Sequence, residues 1–262
     1  KNIEVEVEIA VDSFLHIGGA ASPLTEKKGT IFKIEGKPVI PASSFKGALR
    51  YQLEQKFINE AEKWKETFNV NIDILKPCIP SSSPTRAEQS LISSKSYRGH
   101  IKDKKYDGYC EIKANDTKIV GNSGLCPVCY FMGAAGIMGF LRISNFLPQQ
   151  EGNIIEQTNI RLDRKMWTAA NKAKVDGEQV KPGTKFFGMI EILDFPVQDF
   201  HFGHPRKIGT CTLDKWLENC KAEDDVNTIL IEDILKPALE SIQWLGGQKS
   251  KGAGKVTIKV NN

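Results

Sequence analysis

The order in which two hydrophobic periods follow one another constrains the fold more than any other feature of the sequence. Residues 3–9 alternate between apolar and acidic side chains, which is the period of a strand with one buried face. Farther along, Phe45, Leu49, Leu53 and Phe57 are spaced by four residues and therefore lie along one face of a helix. The chain is thus predicted to begin with a half-buried strand followed by a helix that packs on a sheet.

The same two periods return in the rest of the chain. The first strand is expected to run on to about Leu15. Further strands are predicted at 30–34, 139–143, 185–193 and 256–260, and a second helix between 226 and 242. Strand, helix, two or more strands, helix and strand is the order of the ferredoxin-like architecture. We therefore expect one α+β domain over residues 1–262, with a ferredoxin-like (RRM-like) palm whose antiparallel sheet carries both helices on one side.

The start of the first helix carries unusual residues. Ser43 or Ser44 is predicted to cap its N-terminus, because a side-chain hydroxyl accepts a hydrogen bond from the unpaired amides there. Gly47 then lies within the first turns, where glycine costs a helix about 1 kcal/mol relative to alanine. Close approach of another molecule to the backbone would explain that glycine.

Composition narrows the class of protein without identifying it. The chain has 36 basic and 32 acidic residues, a net charge of +4 and a pI of about 8.6, which is too mild to establish nucleic-acid binding. No segment reaches the roughly 18 consecutive apolar residues of a membrane helix, and the first residues lack the apolar run of a secretory signal. We expect a cytoplasmic protein with no membrane partner, whose six cysteines stay reduced.

A metal site is predicted within a long insertion at 76–125, where periodicity is lost and no core of its own is expected. Cys126 and Cys129 form a Cys-x-x-Cys pair that can bind one zinc ion. Cys78 and Cys110 are the expected further ligands, with His100 as an alternative to Cys110. Structural zinc is therefore the expected cofactor, whereas a redox role lacks the thioredoxin-like context. Cys211 and Cys220 are interpreted as ordinary thiols.

The segment between the second helix and the last strand is rich in glycine and lysine. Glycines let successive backbone amides approach a phosphate, and lysines supply positive charge. The sequence lacks the pattern of a Walker loop or a dinucleotide fingerprint. A flexible hairpin with solvated lysines is the alternative. The residues predicted to bind nucleic acid here are Gly246, Gly247, Lys249, Lys251, Gly252 and Gly254.

A second basic segment lies in a polar arm at 148–183. Arg161, Arg164 and Lys165 are followed closely by Trp167. Basic residues interleaved with an aromatic ring can hold a nucleic-acid backbone while the ring stacks on a base. A solvated surface hairpin is the alternative interpretation.

Four landmarks in one order resemble the RAMP superfamily, in particular the repeating backbone subunit of CRISPR type III effector complexes. They are the segments Leu15–Gly19 and Ile40–Arg50, the arm that starts at Leu162 and returns at Val180–Phe186, and the glycine-rich turn. The likeness covers nearly the whole chain. A type III-D/E-like or type IV-like branch is a possible variant of the same assignment.

This resemblance implies a crRNA-binding subunit that stacks along the guide and presents it to complementary target RNA. It implies a ferredoxin-like palm, a zinc-bearing insertion and a thumb β-hairpin at 148–183 that kinks the guide. The implied partners are crRNA, target RNA, further copies of the chain and other effector subunits. The remaining residues implied to contact RNA are His16, Gly18, Gly19, Ser43, Ser44, Lys46 and Arg50, and those at the helix start agree with the affinity of helix N-termini for anions.

One departure concerns activity. Members that cleave RNA carry an aspartate between the first strand and the Ile-Pro-x-Ser-Ser element, and residues 18–39 of this chain contain none. Glu26 and Glu35 are the carboxylates of that loop. A metal-dependent endoribonuclease that cleaves target RNA at regular intervals is therefore the alternative function. A stand-alone processing enzyme would need a nucleophile and base, and the four histidines have no obvious partner for that role.

Overall fold

The computed structural model describes residues 2–19, 29–103, 105–112, 124–150, 153–162, 165, 169–220 and 225–261, with the backbone alone at 158–162 and 169–176. The strands are β1 (Ile3–Val11), β2 (Lys33–Ile34), β3 (Lys37–Pro38), β4 (Ile101–Lys102), β5 (Lys105–Tyr106), β6 (Leu141–Ile143), β7 (Leu147–Pro148), β8 (Ile154–Leu162), β9 (Ala169–Val180), β10 (Lys185–Ile192), β11 (Lys207–Ile208), β12 (Cys211–Thr212) and β13 (Val256–Asn261).

Helices alternate with these strands. The α-helices are α1 (Ala42–Asn59), α2 (Ala61–Phe68), α3 (Ile72–Leu75), α4 (Arg86–Ser93), α5 (Pro127–Met132), α6 (Val226–Thr228) and α7 (Lys236–Glu240). A π-helical stretch, Ile229–Leu235, joins α6 to α7 without a break, and short 3-10 turns occur at Pro196–Gln198, Lys215–Leu217 and Lys249–Lys251. Within the described residues, no helix combines the length and apolar composition needed to cross a membrane.

The main sheet has the order β13, β1, β10 and β6, and β7 also pairs with β10. β1 pairs antiparallel with β13 and matches Ile9 to Ile258 and Val11 to Val256. Val5 and Val7 are buried together with Ile9 and Val11, as the alternation predicts. Ile3 was expected on the same buried face but is exposed at the start of the strand. The fold is thus a mixed α and β structure with an antiparallel sheet. β1 ends at Val11, short of the predicted Leu15.

The first helix starts at Ala42, two or three residues earlier than a cap at Ser43 or Ser44 would give. The N–H groups of Ser44 and Phe45 donate to the carbonyl of Pro41, and the N–H of Ala42 donates to Oδ1 of Asn145 at 2.9 Å. The prediction that Ser43 or Ser44 caps the helix is therefore wrong, because a side chain from a distant segment provides the cap. The apolar face was predicted correctly, since Phe45, Leu49, Leu53 and Phe57 are all buried.

The insertion is more ordered than its composition suggests. The side chain of Thr85 accepts from the N–H of Glu88 while the Glu88 carboxylate accepts from the N–H of Thr85, so α4 begins with a capping box. β4 and β5 form a short antiparallel hairpin. The expectation that the segment has no core of its own is wrong, and the capping-box spacing at Thr85 was the signal that could have revealed α4. A small apolar cluster supports these elements: Ile79, Ile92, Tyr97 and Tyr106.

The chain divides into two compact units, each built from separate stretches of sequence. The first unit comprises Lys1–Glu4, Leu49–Arg142 and Glu191–Leu239, and the second comprises Val5–Ala48, Ile143–Ile190 and Glu240–Asn262. All six cysteines belong to the first unit. The β8–β9 hairpin, the start of α1 and the glycine-rich turn belong to the second.

A fully buried ion pair lies in the first unit. Nε of Arg206 donates to Oδ2 of Asp214 at 2.7 Å and Nη2 donates to Oδ1 at 2.9 Å, while Nη1 donates to the carbonyl of Met138. Both side chains have no exposed area. Because every partner of the guanidinium comes from the protein, loss of the carboxylate would leave a buried charge without compensation.

We therefore expect Asp214→Ala to lower the free energy of unfolding by about 3–5 kcal/mol, measured by urea denaturation. The matched control is Glu191→Ala, which removes the partner of Arg142 from an exposed ion pair and should cost no more than about 1 kcal/mol. Equal losses in the two variants would contradict this assignment of stability to the buried pair.

Candidate metal centre and nucleic-acid interface

Four cysteine sulfurs meet in the first unit. The Sγ atoms of Cys78, Cys110, Cys126 and Cys129 all lie within 4.8 Å of one another, and all four residues are buried. Sγ of Cys78 is 3.4 Å from that of Cys129 and 3.7 Å from that of Cys126. Bonds of about 2.3 Å in a tetrahedron place the sulfurs about 3.8 Å apart, so the four thiols could hold one metal ion.

The Cys-x-x-Cys pair is placed by a helix start. Cys126 is the N-cap of α5 and its Sγ accepts from the N–H of Cys129 at 3.4 Å, while Pro127 occupies the first turn. The N–H of Cys126 in turn donates to Sγ of Cys110 at 3.3 Å. The backbone at this turn therefore directs two N–H groups at sulfur atoms.

The two candidates for a fourth ligand lie in different places. Cys110 is in the cluster, whereas His100 is exposed and lies outside it. Cys211 and Cys220 are half-buried and also lie outside the cluster. The predicted ligand set is therefore the set that the chain brings together.

Two arginines flank the sulfurs, the half-buried Arg50 and the buried Arg98. Nη2 of Arg50 lies 3.7 Å from Sγ of Cys78 and 3.8 Å from Sγ of Cys129, and Nη1 of Arg98 lies 4.0 Å from Sγ of Cys110. Burial lowers the pKa of both guanidinium groups, but the negative charge of the nearby thiolates raises it, so that each pKa ends above its ordinary value.

The side chain of Arg50 therefore does not lie with the other residues at the start of α1 that were predicted to contact RNA. Ser43, Ser44 and Lys46 are exposed at the start of α1, as is Gly47. A Cβ atom at Gly47 would meet nothing within 4 Å, so packing within the protein does not require glycine there. The side chain of Arg50, by contrast, is 16% exposed and is turned toward the cysteines.

The glycine-rich turn is hydrogen-bonded to the segment that follows β1. The N–H of Gly247 donates to the carbonyl of His16 at 2.8 Å, and that of Gly254 donates to the carbonyl of Phe14 at 2.7 Å. Gly246 and Gly254 have positive φ, and a Cβ on either would lie 2.3 Å or less from a backbone oxygen. These two glycines close the turn. The exposed positions of the turn include Gly247, Lys249, Lys251 and Gly252.

The base of the β8–β9 hairpin meets the same segment. Nδ1 of His16 lies 2.9 Å from the carbonyl of Glu178, whose carboxylate accepts from Nζ of Lys33 at 2.8 Å. Leu15 pairs with Val180 through two backbone hydrogen bonds. Residues 14–19, the hairpin base at 178–180 and the turn at 244–255 thus form one group, which we call the loop–turn cluster. Gly18 is exposed within it and Gly19 is half-buried.

The arm forms the predicted hairpin in its backbone. β8 and β9 pair antiparallel from Ile154 opposite Val180 to Leu162 opposite Ala169. Arg161 lies in β8, and Lys165 is exposed at the far end. Arg164 and Trp167, like Glu26 of the loop after β1, lie outside the described residues.

A cleft of about 350 Å³ opens beside the loop–turn cluster. Its lining includes Phe14, Gln179, Gln248 and Lys251. Gln179 is 4% exposed, and its Nε2 donates to Oε1 of Gln248, but its own Oε1 has no partner among the described residues. A buried acceptor without a partner favours a polar ligand or water there. Sequence reasoning missed this site, because a lone glutamine and phenylalanine carry no recognisable pattern.

A sequence model of the RAMP superfamily matches residues 8–257. No curated protein matches the chain. Among solved structures, it is similar to a chain in the cryo-EM structure of the Type III-B Cmr-beta bound to cognate target RNA, with 15% identity and a TM-score of 0.48. That alignment covers 100% of this chain but 60% of the other, so the chain spans about three fifths of its length. Because the family match extends over nearly the whole sequence, the chain belongs to the RAMP superfamily.

Proposed function

We propose that this chain is a crRNA-binding backbone subunit of a CRISPR effector ribonucleoprotein, which stacks with further copies along the guide and presents it to complementary target RNA. The observation that carries the proposal is the loop–turn cluster. It groups exposed glycines and lysines with the base of a long hairpin, in the same compact unit as the exposed start of α1.

The sheet order supports a ferredoxin-like palm as part of this proposal. β1 lies between β13 and β10, while β6 lies on the far side of β10. The connection from β1 through α1 to β6 therefore passes over β10, as in a split β-α-β unit. In this proposal the β8–β9 hairpin is the thumb, and it leaves the palm just before β10.

The chemistry of the exposed residues suits a sugar-phosphate backbone better than base edges. The hydroxyls of Ser43 and Ser44 and the ammonium group of Lys46 are donors, and they lie at the positive end of the α1 dipole. Lys249 and Lys251 add positive charge in the glycine-rich turn. Contacts of this kind position a nucleic acid without reading its sequence, which suits a subunit whose target is selected by base pairing.

Cleavage of the target is not part of the proposal. Glu35 occupies the exposed turn between β2 and β3, and Glu26 lies outside the described residues. No observation therefore favours the endoribonuclease alternative over binding.

The metal centre is proposed to be a structural zinc site. Four cysteine ligands fill a tetrahedral shell and leave no open position for a substrate, which is the arrangement of structural rather than catalytic zinc. A zinc ion bound there would stabilise the fold by joining three segments that are separate in sequence.

We expect the triple variant Lys46→Ala, Lys249→Ala, Lys251→Ala to bind single-stranded RNA more weakly, measured by fluorescence anisotropy over a range of salt concentrations. If each lysine contacts one phosphate, the slope of log affinity against log salt should fall by about 2, since each contact contributes about 0.7 for a single strand. The control replaces three exposed lysines of the first unit, Lys63, Lys65 and Lys102. An equal loss in both triple variants would show that the surface binds RNA by general charge alone and would refute the proposed interface.

We expect the purified chain to contain about one zinc ion per molecule, measured by mass spectrometry of the metal. Cys78→Ser should lose the ion and unfold at a lower temperature, because one ligand of a closed shell is missing. Cys211→Ser is the matched control, since Cys211 is a half-buried cysteine outside the cluster. Equal zinc content in the two variants, or iron in place of zinc, would contradict the assignment.

A further inference from the structure

We infer that Arg50 and Arg98 belong to the metal centre, where their guanidinium groups compensate the charge of the four thiolates, and that Arg50 is a positioning residue of this centre rather than a ligand of RNA phosphates. The inference rests on the metal site proposed above. It reverses the role that the sequence resemblance implies for Arg50.

The first argument is charge. Four thiolates around a divalent cation carry a net charge of about −2, and all four cysteines are buried. A buried charge is costly unless opposite charge lies close by. Arg50 and Arg98 supply two positive charges at 3.7–4.0 Å from sulfur.

The second argument is hydrogen bonding, since each sulfur has an N–H donor nearby. Nη2 of Arg50 lies within 3.8 Å of Sγ of Cys78 and of Cys129. The N–H of Cys129 donates to Sγ of Cys126. Cys110 accepts from the N–H of Cys126 and lies 4.0 Å from Nη1 of Arg98. Donors of this kind around a metal-bound ligand fix its orientation and tune its basicity. Without Arg50, two of the four sulfurs would lose the donor that the structure provides.

The third argument is that Arg50 is held in this orientation. Its Nε donates to Oε1 of Glu54 at 2.9 Å, and Oε2 of the same carboxylate accepts from the hydroxyl of Tyr97 at 3.0 Å. Nη2 also donates to the carbonyl of Cys78 at 3.2 Å. Glu54 adds a negative charge, but it lies on the Nε edge of the guanidinium and directs Nη2 toward the sulfurs. Glu54 and Tyr97 are both buried, so Arg50 would have to break several hydrogen bonds to reach an exposed phosphate.

Arg98 also holds backbone segments near the cysteines, so a substitution there would not test charge compensation alone. It donates to the carbonyls of Ile74, Lys76 and Gly124, which lie close in sequence to Cys78 and Cys126. Its replacement would release these segments and is expected to unfold the insertion. The test therefore uses Arg50, where the charge can be removed while the aliphatic stem is kept.

The experiment compares Arg50→Met and Arg50→Lys with the control Arg142→Met, using the zinc-loaded full chain. Arg142 lies in the same unit and is 62% exposed. Zinc affinity is measured by competition with a chromophoric chelator at neutral pH, and RNA affinity by anisotropy with zinc in excess. The absorption of the cobalt-loaded variants reports whether four thiolates still bind the metal.

We expect Arg50→Met to bind zinc roughly 10- to 100-fold more weakly, with Arg50→Lys in between, an unchanged tetrathiolate cobalt spectrum and unchanged RNA affinity. Zinc affinity equal to that of Arg142→Met would overturn the inference. So would a loss of RNA affinity with zinc affinity intact, which would restore Arg50 as a phosphate ligand. A wild-type chain that binds neither zinc nor cobalt would refute the metal site itself, which is a different failure.

Discussion

The burial of four cysteine sulfurs within 4.8 Å of one another is the constraint on which the first unit depends. Cys78 follows α3, Cys110 follows the β4–β5 hairpin, and the other two cysteines begin α5. In the proposed centre, one metal ion would join these three segments, which are separate in sequence. Negative charge at the sulfurs of the proposed centre would also need to be balanced within the protein, which would account for Arg50 and Arg98 beside them.

Strong periodicity made the central elements predictable. The alternation in β1 identified most of its buried face, and the spacing of four in α1 identified the residues of its buried face. Both patterns arise from local geometry, which requires no knowledge of the rest of the chain. The Cys-x-x-Cys pair was equally informative, because two thiols at this spacing at a helix start point to one site. Short elements such as α4 and the β4–β5 hairpin escaped detection, since they contain too few residues to show a period.

Other features depend on contacts that no local pattern records. The amide of Ala42 is capped by Asn145, which is 103 residues away, so the preference of serine for N-caps gave the wrong residue. Arg50 lies 28 residues from Cys78 and 79 from Cys129. In the sequence it stands beside Ser43, Ser44 and Lys46 and shares their basic, polar character. Only the tertiary structure shows that the guanidinium of Arg50 lies beside the sulfurs, whereas the three other side chains face solvent.

In the glycine-rich turn, too, residues that look alike in the sequence have different surroundings in the structure. Gly246 and Gly254 are fixed by backbone oxygens that leave no room for a Cβ, whereas a Cβ at Gly252 would meet nothing within 4 Å. The sequence presents these glycines as equivalent, yet two of them form the turn and the exposed ones leave its surface open. In the proposed role this arrangement explains why a net charge of only +4 is sufficient. A surface that holds a guide by its backbone needs rigid main-chain positions and a few lysines, because base pairing between the guide and its target supplies the specificity.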